Sequence, residues 1–298
     1  MRLDDFDPNI NVGSQDNRGG GFGGGGGGGG LLFGLLPLIG SRFGCGGIVV
    51  VLILMAVFSG GLGGILGGGS TTAPQTRSAP AGGGNATQIC SADPARRAAC
   101  NAFSSAEHTW EKLMPGRFQA PSLQFFDQNG QSGCGAAQAA MGPFYCPTDQ
   151  GIYLDTSFFN ELTNRFHAAG DFAQYYVVAH EFGHHIQRLT GDSERVQQIQ
   201  RSSGRTEGNA ASVRLELQAD CYAGVWAAQN RDRLEPGDIE EGMRAAQAIG
   251  DDTLQREAGG NVNQESFTHG SSAQRMKWLK VGLDSGDPAK CDTFSGTP

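Results

Sequence analysis

Residues 177–189 read VVAHEFGHHIQRL and carry two histidines, His180 and His184, four positions apart, with Glu181 directly after the first. On an α-helix, residues four apart lie on one face, so both imidazole rings can bind a single Zn²⁺ ion. Glu181 then lies beside the metal, where a carboxylate can act as a general base toward water. A chance match is the alternative, and a chain with only 6 histidines rarely produces one. The stretch therefore predicts a helix that presents a zinc site for hydrolytic chemistry.

The two histidines need a third partner, because a catalytic zinc ion usually has three protein ligands and one open position. One extension of the motif requires Gly at position 187 and His at position 190, but the chain has Gln187 and Thr190 there. The other route is a later Glu, and Glu216 is followed four residues on by Asp220 in a predicted helix. We expect Glu216 to be the third ligand and Asp220 to accept a hydrogen bond from the spare ring nitrogen of His180. An exposed acidic face is the alternative, although the pair lies among apolar residues.

A further catalytic role is predicted for His269, which precedes the last predicted helix. In this interpretation Glu181 takes a proton from a zinc-activated water and returns it to the leaving amine, while His269 donates a hydrogen bond to the oxyanion. His269 is equally compatible with a role as a loop or capping residue. His185 follows His184 and points about 100° away on a helix, so it is expected to be a surface or packing residue.

Composition excludes one class of partner. The net charge is −8 and the sequence pI is near 5.2. Nucleic-acid binding requires clustered Lys and Arg to neutralise phosphates, and no basic stripe is visible. A nucleic-acid partner is therefore not expected.

The 298 residues are distributed unevenly, since residues 19–30 are all Gly except Phe22 and the segment up to about residue 84 cannot build a core. Only the C-terminal part has the composition of a globular domain. The predicted organisation is an N-terminal segment (1–43), a transmembrane helix (44–66), a flexible linker (67–87), a domain (88–292) and a tail (293–298).

The membrane helix is predicted because Phe43–Thr76 contains no charged residue and Ile48–Phe58 is continuously apolar. A cleaved signal peptide is the alternative, but the long lead before the segment favours an uncleaved anchor. Arg42 lies directly before the apolar stretch, and the next basic residue after it is Arg77. The positive-inside rule then predicts a cytoplasmic N-terminus and a domain in the periplasm or outside the cell.

Six cysteines follow the apolar stretch, an even number that is typical of disulfide-bonded domains in an oxidising compartment. No two of them form a CxxC pair, so a structural zinc ribbon is not expected. Fifteen pairings are possible in principle. We expect three local pairs, Cys90 with Cys100, Cys134 with Cys146, and Cys221 with Cys291.

Helical periodicity dominates the C-terminal half, and strand patterns are confined to the first half of the domain. Gly142–Cys146 and Gly151–Asp155 are short, aromatic or β-branched segments that predict a hairpin. Helices are predicted at 95–113, 158–167, 171–189, 213–230, 237–249 and 271–283. The expected fold class is α+β, mainly helical with a small antiparallel sheet against the helices.

These motifs together resemble the bacterial family of putative neutral zinc metallopeptidases. The family blocks HEFGHH and ELQADCYAG stand at His180–His185 and Glu216–Gly224, and similar blocks stand at Phe144–Pro147 and His269–Arg275. The resemblance covers nearly everything from about Cys90 to Cys291. It implies a zincin domain behind a membrane helix and a Gly/Ser/Pro-rich linker. The Gly stretch before the predicted helix is longer than the family pattern.

The Glu-x-x-x-Asp pattern at Glu216 and Asp220 also looks like that of gluzincins of the thermolysin and Ste24 types. By that analogy, a strand near Ser132–Ala140 would line the cleft and pair with an extended peptide substrate.

Three functions remain open at this stage. The first is a membrane-anchored zinc metalloendopeptidase that acts on peptide or protein substrates outside the cytoplasm. The second is a non-catalytic zinc-containing binding or scaffold protein of the cell envelope, and the third is a zinc hydrolase of another amide or ester. A structural zinc site has four protein ligands and no open position for water, so it would not need a base at Glu181. The sequence therefore favours an enzyme.

Overall fold

The structure is a computed structural model that describes residues 1–15 and 85–296 of the chain. All of its described strands lie in the first half of the domain, and from residue 157 onward the described elements are all helices. The strands are β1 (Val12–Ser14), β2 (Ser122–Phe125), β3 (Asn129–Ser132), β4 (Gly135–Gln138), β5 (Phe144–Cys146) and β6 (Gly151–Leu154). The helices are α1 (Ala86–Cys90), α2 (Pro94–Leu113), α3 (Ser157–Asn164), α4 (Asp171–Thr190), α5 (Asp192–Ser202), α6 (Arg205–Gln229), α7 (Asp238–Ala248), α8 (Asp251–Glu257) and α9 (Ser272–Ser285).

The main sheet has four strands in the order β1-β2-β6-β5. β1, β2 and β6 run parallel, and only β5 is antiparallel to its neighbour β6. The predicted hairpin is confirmed, since Tyr145 lies opposite Ile152. The expectation of a wholly antiparallel sheet is wrong, because β1 and β2 reach their parallel neighbours through long crossover connections.

The segment near Ser132–Ala140 is not one strand. It contributes to the separate two-stranded hairpin of β3 and β4. The strand that packs against α4 is β5, at the edge of the main sheet. The strand that lies beside α4 is thus β5 and not the segment Ser132–Ala140.

The predicted helices are confirmed with small shifts of their ends, and α9 begins with a capping box between Ser271 and Gln274. α6 begins at Arg205, earlier than its apolar pattern indicated. The five-residue helix α1 was not predicted, and neither were α5 and α8. The latter two are short and polar, with Val196 as the buried apolar residue of α5, so they lack the apolar periodicity that marks a helix in sequence.

Residues 1–15 pack against the domain rather than forming a separate segment. β1 extends the sheet, Leu3 and Ile10 are buried in the main core, and the backbone amide of Asp7 donates to Ser104 Oγ on α2. The amino group of Met1 lies 2.7 Å from Asp238 and 3.3 Å from Asp171, the first residue of α4. The folded domain thus includes residues 1–15 in addition to the region around 88–292.

Helix α4 lies at the centre of the domain, with α2, α6 and α7 packed around it. It lies close to α6 at Gly183, where an added Cβ would lie 3.0 Å from the carbonyl oxygen of Ala219. A residue with a side chain would hold the helices apart. Gly183 therefore lets the face that carries His180 and His184 lie directly against the face that carries Glu216.

Helices α6 and α9 form the other close pair, and here two glycines face each other's backbone. A Cβ at Gly224 would meet the Leu279 carbonyl oxygen at 2.2 Å, and one at Gly282 would meet the Cys221 carbonyl oxygen at 1.9 Å. The disulfide from Cys221 to Cys291 ties the same region together. This contact places the second half of α9 directly against the second half of α6.

All three predicted disulfides are confirmed: Cys90–Cys100, Cys134–Cys146 and Cys221–Cys291. The predicted transmembrane helix at 44–66 lies outside the described residues. Within residues 1–15 and 85–296, no helix combines the length and the apolar character that a membrane crossing requires.

Candidate metal and catalytic centre

Helix α4 holds His180 and His184 one turn apart and turned toward α6. The helix begins at Asp171, a residue that suits the positive end of the helix dipole, and it ends at Gly191 in the left-handed conformation. His180 is 5% exposed and Glu181 is 8% exposed. The motif thus lies inside the domain, on a helix packed on several sides, and its rings have little freedom to turn away.

The carboxylate of Glu216 lies between the two rings. Nε2 of His180 is 3.2 Å from one of its oxygens, and Nε2 of His184 is 3.5 Å from the other. One ligand atom from each of the three residues lies within 4.8 Å of the others. Two ligand atoms of a tetrahedral zinc ion with bonds of about 2.05 Å are separated by about 3.3 Å. The donor set therefore fits zinc in both chemistry and spacing, with one position left for water or substrate.

The other ring nitrogens are held by hydrogen bonds. Nδ1 of His180 is 2.8 Å from Asp220 Oδ1, and Nδ1 of His184 is 2.9 Å from Oε1 of Gln187. Gln187 is itself fixed, since its amide donates to the Leu215 carbonyl on α6. These acceptors place the proton on Nδ1 of each ring and leave both Nε2 lone pairs toward Glu216.

Without a metal, the carboxylates favour protonated histidines. Burial alone lowers the pKa of His180, but the charges and hydrogen bonds of Asp220 and Glu216 outweigh it and raise that pKa to about 9. The pKa of His184 is also raised, because Glu216 outweighs the effect of burial. Burial raises the pKa of Glu216, yet the histidines hold it well below its usual range. The carboxylates of Glu216 and Asp220 thus stabilise positive charge at this position, either as protons on the histidines or as a bound cation.

Glu181 occupies the position expected of a base. It follows His180 on α4, and its charge is close enough to raise the pKa of His184. Among the described residues, no side chain or backbone amide donates a hydrogen bond to its carboxylate. Glu181 is therefore available to a water molecule or a substrate.

His269 approaches the same centre from the loop before α9. Its Nδ1 lies 3.2 Å from Asp251 Oδ1, and Asp251 Oδ2 accepts the backbone amides of Thr268, His269 and Gly270. Burial lowers the pKa of His269, but the hydrogen bond to Asp251 and the charge of Glu216 raise it overall. Asp251 therefore fixes the whole loop and turns Nε2 of His269 away from itself.

His185 is a packing residue and is fully buried, not exposed. Its Nε2 is 2.6 Å from the carbonyl oxygen of Gln119, and its Nδ1 is 3.0 Å from the hydroxyl of Tyr145 on β5. Burial lowers the pKa of His185 to about 4, so the ring is neutral near pH 7. Its role is to join β5 to the helix that carries His180 and His184.

The structure brings together the sequence-predicted residues His180, Glu181, His184, Glu216 and Asp220, and it places His269 close enough to interact with Glu216 through charge. Sequence reasoning missed the residues that hold these groups in place, namely Tyr176, Gln187, Asp251 and Arg275. Only Gln187 gave a local signal, since it is three residues after His184 on the same helix.

Comparison with known proteins adds independent information. A family model described as "Putative neutral zinc metallopeptidase" matches residues 5–294. The uncharacterized protein YpfJ of Escherichia coli strain K12 is 50% identical over 197 residues, which cover 64% of this chain and 69% of YpfJ. The uncharacterized protein Mb2605 of Mycobacterium bovis is 45% identical over 205 residues, which cover 64% of this chain and 68% of that protein. No solved structure matches the chain.

Proposed function

Because the chain belongs to the family described as "Putative neutral zinc metallopeptidase", Zn²⁺ is its cofactor, and we propose that it is an endopeptidase in which Glu181 activates water. The observation that carries the proposal is the convergence of His180, His184 and Glu216 with Glu181 beside them. When bound, zinc supplies Lewis-acid polarisation of a carbonyl and makes a water acidic enough to lose a proton near neutral pH.

Glu181 moves the proton in this proposal. Its carboxylate accepts a proton from the attacking water and then delivers that proton to the nitrogen of the leaving amine. The carboxylate has no competing donor among the described residues, so it is free for both transfers. Asp220 and Gln187 keep Nδ1 of the two histidines protonated, which leaves both Nε2 atoms free to hold a zinc ion when one is bound.

His269 stabilises the negative oxygen that develops on the substrate. Nδ1 of His269 donates to Asp251, so Nε2 carries a hydrogen only when the ring is protonated. The raised pKa of His269 favours that protonated form. A charged donor aimed at a developing oxyanion is the arrangement that contributes most to acyl-transfer catalysis.

Strand β5 is the proposed binding edge for the peptide. It pairs with β6 on one side, and no described strand pairs with its other side. Tyr145 on β5 is held to α4 through His185. An extended peptide that adds to this edge places its backbone alongside the metal-binding helix.

The test is cleavage of casein and of a peptide library by the purified, zinc-loaded full chain. Glu181→Gln is expected to bind zinc normally and to lose activity by at least about a hundredfold, since general base catalysis contributes about 10²–10⁴. Glu240→Gln, an exposed residue on α7, is the matched control and should remain fully active. Equal activity in Glu181→Gln would exclude the mechanism. Zinc binding without cleavage of any substrate by the wild type would favour the scaffold function.

The three disulfides support a location in an oxidising compartment, such as the periplasm or the cell exterior. Membrane anchoring through 44–66 rests on the sequence alone. The expected topology places residues 1–43 in the cytoplasm and 88–292 outside, which separates two parts that the structure packs together. We therefore propose that residues 1–15 share a compartment with the domain.

Cysteine labelling of intact bacterial cells tests this location. Asn9 and Thr206 are exposed, and each is replaced singly by Cys in a Cys45→Ser background. A membrane-impermeant maleimide should label both sites. Labelling of Thr206→Cys alone would instead support a single crossing with a cytoplasmic N-terminus, and labelling of neither would place the domain in the cytoplasm.

A further inference from the structure

Arg275, in the first turns of α9, is buried to 2% exposure at the back of the metal site. Its Nε donates to Asp220 Oδ2 at 2.8 Å, and its Nη2 donates to Asp220 Oδ1 at 2.8 Å. This is the two-pronged geometry that an Arg side chain offers and a Lys side chain does not. Burying such a pair is costly unless its geometry is good, and here both carboxylate oxygens are satisfied.

Asp220 is also the residue that holds His180. Its Oδ1 accepts from Nδ1 of His180 at 2.8 Å and from the hydroxyl of Tyr176 at 2.5 Å. Arg275 Nη2 lies 3.2 Å from the same hydroxyl. The orientation of the Asp220 carboxylate, and through it the orientation of the His180 ring, therefore depends on the Arg275 fork.

A second contact connects Arg275 to the other side of the centre. Nη1 donates to the carbonyl oxygen of Ile249 at 3.2 Å. Ile249 follows α7 and is two residues before Asp251, which holds the loop of His269. One guanidinium group thus connects the support of a zinc ligand with the start of the segment that supports His269.

We propose that Arg275 is a positioning residue that sets zinc affinity through Asp220 and His180 and, through Ile249, fixes the segment that carries Asp251. This inference rests on the zinc site of the proposed function. It is tested by metal binding, which does not require peptide cleavage, so failure of the peptidase assay and failure of this inference are distinguishable.

Two substitutions separate positioning from charge. Arg275→Lys keeps the positive charge but loses the fork, and Arg275→Met loses both. The matched control is Arg214→Met on α6, which removes an Arg that donates to the backbone carbonyls of Thr293 and Gly296, away from the metal site. Zinc dissociation constants are measured by chelator competition at fixed pH on the full chain, and thermal unfolding of the zinc-free protein is followed in parallel.

The expected result is a zinc affinity about 10–100-fold weaker in both Arg275 variants, the range for loss of a group that supports a metal ligand. Arg214→Met should keep its zinc affinity within about threefold of wild type, even if its unfolding temperature falls by as much as that of the Arg275 variants. Unchanged affinity in a folded Arg275→Lys would overturn the proposal.

A double-mutant cycle identifies the route. If Arg275 acts through Asp220, then Arg275→Lys has little further effect on zinc affinity in an Asp220→Asn background. Additive losses would show that Arg275 acts by another path. If neither Arg275 variant folds, Asp220→Asn tests the step from Asp220 to His180 on which the proposal depends, and wild-type affinity there refutes the proposal.

Discussion

Replacement of Gly282 by Ala should force apart the two helices that support the candidate centre. A Cβ at this position would lie 1.9 Å from the carbonyl oxygen of Cys221, whereas ordinary contact begins at 3.4 Å. The difference, 3.4 − 1.9 = 1.5 Å, is the distance by which α9 must move away from the α6 backbone. The disulfide between Cys221 and Cys291 restrains that movement.

Two opposing effects determine how much Gly282→Ala changes the free energy of unfolding. Gly→Ala in a helix interior stabilises by about 1 kcal/mol through backbone entropy, and overpacking costs about 1–3 kcal/mol or more. Because the clash at Gly282 is with backbone and cannot be relieved by a rotamer change, the cost lies at the upper end. We expect the free energy of unfolding to fall by about 2 kcal/mol or more.

The assay is urea unfolding of the zinc-free chain with its disulfides intact. Gly208→Ala on α6 is the matched control, because a Cβ there would meet its nearest neighbour, Gln200, at 3.6 Å. That variant should gain up to about 1 kcal/mol. The two Gly→Ala changes are thus expected to have opposite signs. A Gly282→Ala protein as stable as the wild type would refute the close packing of α6 and α9.

Three further predictions concern the centre and its supports. Asp251→Asn should lower the pKa of His269, so the protonated donor is lost at a lower pH. The fall of kcat/KM at high pH should therefore begin at a lower pH than in the wild type. An unchanged pH dependence of kcat/KM would contradict the role of His269. Zinc must displace a proton from His180, whose pKa is about 9, and from His184 where it is protonated, since its pKa is also raised, so zinc affinity should fall at least about tenfold for each pH unit below pH 9. Titration calorimetry at pH 7 should then give heats that depend on the buffer, and buffer-independent heats would exclude proton release. Tyr145→Phe removes the hydrogen bond that holds β5 to His185, so the free energy of unfolding should fall by about 0.5–1.5 kcal/mol. The same change should raise KM more than it lowers kcat, and an unchanged KM would argue against β5 as the binding edge.

The sequence predicted most of the residues that meet at the centre because helical spacing is a local property. Two residues four apart on a helix share a face wherever the helix lies, and this relation placed His180 with His184 and Glu216 with Asp220. The supports were not predictable in the same way. Arg275 reaches Asp220 across two helices that meet only through tertiary packing, and no spacing within either helix signals the contact.

The sheet was mispredicted for a related reason. The hairpin of β5 and β6 is local, and the turn residues between the two strands predicted it. β1 comes from residues 12–14, far from its partner β2 in sequence, and a three-residue strand has too little alternation to mark its partner or its direction. The N-terminal segment consequently appeared separate in sequence although Leu3 and Ile10 are part of the core.

The packing of α1 on β1 has a practical consequence for protein engineering. Val12–Ser14 and Ala86–Cys90, which lie near the facing ends of the two described parts, are in contact with each other. A short Gly/Ser linker, at about 3.3–3.6 Å of reach per residue, can therefore join the two described parts in place of residues 16–84. Such a shortened chain would keep β1 in the sheet and the whole centre in one compact molecule suited to crystallisation and metal titration.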